Sequence, residues 1–438
     1  MTVLAHGLGG STDLPIPYTY ALIGAAWALT LTFAVVVLAW RTTRFDPRRA
    51  GRRLPAWVAT VVDAPVTRWI VGLAGLLFTA WVMMAALLGP QNDENGLPGT
   101  FYVLLWVGLV AASVLFGPVW RVISPPRTVF RMIDGRRWAG GRGYPESWGY
   151  RPAAFGLFAF VWLELASPDP GSLTAIKLWL LAYTVLVFGG AALFGTRWFA
   201  RADPFEVYSM VASRLSPMRR DEAGFLTVGN PFDHLPTLPV RSGTVTVLAV
   251  LLGSTAFDSF SAMPQWRGFV DGLASGQAGA TFIRTCGLAV FVAVVGITFT
   301  VAARATGGVD RDRRRLLPGQ LAHSLVPIVL GYVFAHYLSY LIERGQQTVI
   351  RLADPLGHGW TPLGLGDADV NYVLSMHPSV LATIKVACVV LGHVGGVVAA
   401  HDAALRLLPR GHQITGQLAM MLVMVAYTFT GLYLLFGG

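Results

Sequence analysis

Long apolar runs separated by short polar segments dominate the chain. They fall at residues 18–40, 69–88, 101–122, 153–166, 173–194, 245–262, 281–303, 320–342, 380–400 and 413–436. About 20 apolar residues are what an α-helix needs to cross a bilayer, where the backbone must satisfy its own hydrogen bonds. The pattern predicts an all-α integral membrane protein, a bundle of about ten transmembrane helices forming a single domain over 1–438, with 153–166 short for the task. Arginines occupy alternate connections. Arg41, Arg44, Arg48, Arg49, Arg52 and Arg53 follow the first run, Arg127, Arg131, Arg136 and Arg137 the third, Arg197, Arg201, Arg214, Arg219 and Arg220 the fifth, and Arg304, Arg311, Arg313, Arg314 and Arg315 the seventh. Basic residues are retained on the cytoplasmic side, so the N-terminus, the C-terminus and a loop at 343–378 are predicted to lie outside, in a multi-pass protein of the cell (cytoplasmic) membrane.

Composition agrees with the pattern and removes other classes. Hydrophobic residues make up 54% of the chain and charged residues 13%, half the share of an ordinary soluble domain. The net charge of +10 sits in clusters flanking the apolar runs, so it reads as membrane topology and no nucleic-acid partner is expected; the lipid bilayer is the partner, with a homo-oligomer or membrane complex open. Cys286 and Cys388 both lie in apolar runs, which excludes a disulfide framework and a CxxC site. The first twenty residues carry no Lys or Arg, so no signal cleavage is expected, although the fragment VLAHG resembles the end of a signal peptide and points to an upstream start, with maturation near His6.

One segment recurs. LFGPVWRVISPPRTVFRMI at 115–133 aligns without gaps with LFGTRWFARADPFEVYSMV at 193–211, matching Gly117 with Gly195, Trp120 with Trp198, Pro126 with Pro204, Val129 with Val207 and Met132 with Met210. Both copies leave the membrane inward, which predicts a parallel internal repeat: a helix end followed by a short interfacial helix led by proline.

Ionisable groups within apolar spans are costly in lipid and therefore mark candidate sites. Glu164, Asp258, Arg284, His336 and Lys385 all fall near the outer ends of their runs, and Glu343, Arg344 and His377 cap two runs at the same surface. Glu164, Asp258, Arg284, His336, Glu343, His377 and Lys385 are thus the candidates for an outward-facing polar site that binds or moves a polar or ionic ligand. In the inner half, His323 and His393 fall on consecutive spans. Two imidazoles facing each other are what haem b uses as axial ligands, and an imidazole also takes a transition metal, so these two are the candidate metal ligands of a redox subunit. His401 and Asp402, adjacent at a span end, suit capping or loop anchoring. The chain lacks HExxH, a GxSxG with a placed histidine and a close His-x-His pair, which leaves an enzyme only scattered residues, among them Asp354, His358, Asp367, Asp369 and His377 with Trp360 as an apolar wall.

AHGLGGSTDLPIPYTYAL, LLGSTAFDSF, AHYLSYLIERGQQ, ADPLGHGW and HPSVLATIKVACVVLGHVGGVVAAHDAALRL together resemble a group of actinobacterial multi-pass membrane proteins that carry the label fenitrothion hydrolase. The resemblance extends over nearly the whole chain. It implies hydrolysis of an organophosphate ester, chemistry that calls for a metal-activated water or a positioned nucleophile.

Overall fold

The computed structural model describes residues 14–49, 51–138, 140–359, 364–365 and 368–436. The fragment around His6 and two loop candidates, Trp360 and Asp367, lie outside these. Among the described residues nine helices are long and apolar enough to cross a membrane: Tyr18–Ala39, Pro65–Leu88, Leu97–Phe116, Leu173–Phe194, Thr244–Ser261, Gly276–Arg304, Arg311–Ala353, Pro378–Leu407 and Thr415–Phe436. The protein is an all-α multi-pass membrane protein. The remaining expected span forms the helix Arg151–Leu165, whose 15 residues rise about 22 Å, short of a bilayer core of about 30 Å.

Contacts divide the chain into two interleaved compact units where the apolar pattern alone predicts one domain. The first comprises Met1–Arg49, Asn230–Leu338 and Val373–Gly438; the second comprises Ala50–Gly229 and Ser339–Tyr372.

In the second unit each repeated segment turns back along neighbouring spans. Leu97–Phe116 and Leu173–Phe194 each end on a glycine with positive φ, Gly117 at 88° and Gly195 at 63°, a conformation open to glycine because it has no Cβ. The third span therefore stops at Phe116, short of the expected residue 122. The chain then turns back along its neighbours as the helices Trp120–Ile123 and Thr196–Ala202. The Ile123 carbonyl reaches the middle of Pro65–Leu88, against Gly75, where a Cβ would collide with it. Asp203 reaches the middle of Leu173–Phe194, accepting a hydrogen bond from the Tyr183 hydroxyl at 3.2 Å. There each chain reverses again into a proline-led helix, Pro125–Met132 capped by the Ser124 hydroxyl and Pro204–Ala212 capped by the Asp203 carboxylate. Both caps are fully buried. The two segments are thus re-entrant hairpins that turn near mid-depth, which lipid permits only where protein encloses the exposed backbone ends.

Polar contacts tie the hairpins together. Trp120 Nε1 donates to Asp203 Oδ2 at 3.0 Å, Ser113 and Ser209 hydroxyls meet at 2.8 Å, and Arg127 grips Glu206 through Nε–Oε2 at 3.1 Å and Nη2–Oε1 at 2.7 Å. An aromatic stack of Phe101, Trp106, Phe160, Trp179, Phe205 and Tyr208 fills the space around them. At the arginine-rich end a small antiparallel sheet, invisible in the hydropathy pattern, pairs Leu226–Val228 with Arg52–Arg53 on one side and Met218–Arg220 on the other. Asp63 nearby is held below the usual carboxylate range by hydrogen bonds from Arg220 and Arg68, so part of the basic cluster serves local structure.

In the first unit, Gly331 and Gly392 bring two helices into backbone contact: a Cβ at Gly331 would sit 2.5 Å from the Cys388 carbonyl oxygen, and one at Gly392 would sit 2.7 Å from that of Pro327. Small residues at such crossings are the usual device for packing helices in lipid. Asp402 and His401 anchor the loop after the first span. Asp402 Oδ1 accepts from the backbone N–H of Arg44 at 2.6 Å and of Phe45 at 3.2 Å, and His401 Nε2 lies 2.9 Å from the Trp40 carbonyl oxygen. The eighth run also outlasts its expected end at 342. It passes through a π-helical turn at Tyr340–Arg344 into the helix Gly345–Ala353, because Thr348, Leu352 and Ala353 supply a buried face, so the expected outer loop begins at Asp354.

Candidate intramembrane site

The first unit contains a buried polar network built from residues on two helices. Asp258 and Ser259 lie near the arginine-poor end of Thr244–Ser261; Tyr332, His336 and Tyr337 lie on the run that ends at Ala353. Positions 332 and 336 are four apart and share a helix face. Asp258 Oδ2 accepts from the Tyr337 hydroxyl at 2.7 Å and pairs with His336 Nε2 at 2.9 Å. His336 Nδ1 meets the Ser259 hydroxyl at 3.1 Å, and that hydroxyl meets Tyr332 at 3.2 Å, whose own proton reaches the Gly431 carbonyl at 3.4 Å. If His336 presents Nε2–H to the carboxylate, its Nδ1 lone pair takes the Ser259 proton, and the single Tyr332 proton is then shared between Ser259 Oγ and the Gly431 carbonyl. All five residues are at most 6% exposed.

The other sequence candidates divide around this network. Lys385 is 1% exposed on the neighbouring helix; because Gly331 packs against Cys388 and Gly392 in antiparallel fashion, Lys385 stands level with His336. Arg284 is half-buried, and Gly287 beside Phe257 puts it about a turn beyond Asp258 toward the arginine-poor end. His377 stands apart: it is exposed, and its ring nitrogen is engaged by the Val373 carbonyl at 2.8 Å. Glu164 and Glu343 belong to the second unit, Glu164 half-buried and Glu343 buried. In the loop, Asp354 is occupied by the backbone N–H groups of His358 and Gly359 at 3.1 and 2.6 Å.

His323 and His393 share one arrangement. Each Nδ1–H donates to a backbone carbonyl, Gln320 and Val389 respectively, both at 2.9 Å, and each Nε2 has no partner among the described residues. That tautomer suits a metal ligand. The pair does not suit a bis-imidazole haem. Ser324 packs against Gly396 and Pro327 against Gly392, so the two histidines sit more than a turn apart along helices whose backbones touch, leaving no slot for a macrocycle between them. Among the described residues no group of three or more His, Cys, Asp or Glu could hold a metal ion.

Ser259, Tyr332 and Tyr337, and in the second unit Arg127, Asp203 and Glu206, complete polar clusters that charge and depth along the sequence did not single out. The signal available for the latter was local: a capping Ser or Asp directly before proline, seven or eight residues after a glycine that ends an apolar run. No family model, no curated protein and no solved structure matches the chain.

Proposed function

We propose that this is a cell-membrane protein in which Asp258 and His336 form the binding group for a polar or ionic ligand that enters from the arginine-poor, outer side. The supporting observation is the closed hydrogen-bond network around the pair, with Lys385 at the same level: a carboxylate and an imidazole buried in an apolar helical unit are expensive to retain. A purified sample screened by thermal unfolding against inorganic and small organic ions tests this. An ion that stabilises the wild type and fails to stabilise His336→Gln of unchanged fold supports the reading; an equal shift in the variant overturns it.

A second reading rests on a different feature of the same residues. Ser259 Oγ, His336 Nδ1–Nε2 and Asp258 Oδ2 form an ordered hydroxyl–imidazole–carboxylate series, with the roles of nucleophile, base and orienting acid. Such a series would serve ester hydrolysis of the organophosphate type. The expected result for a hydrolase is labelling by a fluorophosphonate probe at Ser259, lost in Ser259→Ala and in His336→Gln. Absence of labelling in the active-state wild type removes the hydrolase and leaves ligand binding.

A further inference from the structure

The re-entrant hairpin that turns at Ser124 leaves two charges unanswered. Its inbound helix Trp120–Ile123 and its outbound helix Pro125–Met132 both pack on Pro65–Leu88 at Gly72, where a Cβ would sit 3.4 Å from the Val122 carbonyl oxygen and 2.8 Å from Thr128 Oγ1. Arg121 directly precedes Val122, Arg131 follows Thr128 by three residues, and Arg68 precedes Gly72 by four, each of them toward the arginine-rich end. One helical turn rises about 5 Å, so the three arginines stand within about a turn of one level. All three are exposed, and Arg131 lies within electrostatic reach of the other two.

The acids of this region are already taken. Glu206 is gripped by Arg127, Asp134 pairs with Arg137 at 2.6 Å, and Asp63 accepts from Arg68 at 2.7 Å and from Arg220 at 2.9 Å. The guanidinium groups of Arg121 and Arg131 have no hydrogen bond or ion pair among the described residues. Their surroundings are apolar: Val66, Trp69 and Ile70 on the span, and Met132 and Ile133 at the end of the hairpin, are large exposed side chains. In a membrane protein such a surface faces acyl chains, where a charge without a counter-charge is costly. Boundary water serves one snorkelling arginine. Two unanswered arginines at one level match the oxygens of a phosphate group, which a guanidinium takes in bidentate fashion. A free phosphate makes no use of the apolar rim. A phospholipid fills both parts, its phosphate on the arginines and its chains along Trp69 and Met132.

We propose that Arg121 and Arg131, with Arg68 beside them, form a binding site for the headgroup of an anionic phospholipid in the leaflet at the arginine-rich end. The site belongs to the second unit and stands independently of the Asp258–His336 reading. Thermal unfolding of the purified full chain in dodecyl maltoside, titrated with phosphatidylglycerol or with phosphatidylcholine at fixed ionic strength, tests it. The expected result is a saturable rise in midpoint with phosphatidylglycerol alone. Its apparent affinity should fall roughly thirtyfold in the double variant Arg121→Gln with Arg131→Gln, the loss that two phosphate-facing arginines near a membrane surface account for. It should stay unchanged in Arg304→Gln with Arg311→Gln, which removes two exposed arginines from another arginine-rich connection. An equal loss in that control assigns the effect to net positive charge and overturns the site. An equal rise with phosphatidylcholine, no response to either lipid, or a rise with inorganic phosphate alone overturns it as well. Should the double variant fail to fold, the roughly fivefold loss expected in Arg131→Gln alone decides.

Discussion

Replacing Arg127 with alanine is expected to lower stability by roughly 3–5 kcal/mol, the usual cost of removing one partner from a buried ion pair. Both side chains are under 10% exposed, and the guanidinium makes two parallel bonds to the Glu206 carboxylate, so the variant strands the Glu206 charge in a buried place without its guanidinium. Glu206→Ala should cost about as much. The double replacement Arg127→Met with Glu206→Leu removes both charges and fills the volume, so it should recover most of the loss, because the desolvation of the ions disappears with them. Unfolding midpoints in a detergent titration compare the three. If the double variant is as unstable as the sum of the singles, the hairpins depend on something other than this pair.

The second large effect is predicted for Asp203→Ala. That carboxylate ends the Tyr183 and Trp120 donors and caps Pro204–Ala212 through the backbone N–H of Phe205 and Glu206, at 3.0 and 3.4 Å. Loss of a cap costs about 1 kcal/mol and each buried donor left unsatisfied about 1–3 kcal/mol, so a total of at least roughly 3 kcal/mol is expected. Asp203→Asn keeps one acceptor oxygen and should lose clearly less. Equal losses in the two variants would mean that the cap and the two donors are not what the carboxylate supplies. A surface helix would show neither effect, so the comparison also separates the re-entrant arrangement from the interfacial one that the proline-led segments suggest in sequence.

The spans themselves were legible because burying helices in lipid demands long apolar runs, and Tyr18–Ala39 and Leu173–Phe194 end within a residue of where hydropathy ends them. The hairpins were not, because Arg127, Asp203 and Glu206 carry charges that, behind an apolar run, suit a short helix in the membrane interface; only their mutual pairing, which depends on the fold, makes burial affordable. The division into two units depends in the same way on contacts between distant segments. At the candidate site, Asp258, His336 and Lys385 were visible as charges in apolar surroundings. Ser259, Tyr332 and Tyr337 were not, since neutral hydroxyls are common in membrane helices and acquire meaning only through the imidazole and carboxylate they touch. His377 shares its place at a span boundary with the others, while its ring nitrogen is taken by the Val373 carbonyl of its own local turn.

The central claim is that the Asp258–His336 network receives a ligand and is more than a set of internal braces. Its five side chains are closed off in this conformation, so ligand entry requires the site to open to water. The direct measurement places a thiol in the network, Ser259→Cys, in a background where the free cysteines Cys286 and Cys388 are replaced by alanine, and exposes reconstituted protein to a membrane-impermeant methanethiosulfonate. The account predicts slow modification of the folded protein at position 259, slowed further by the stabilising ion found in the thermal screen. Modification only after denaturation would contradict it.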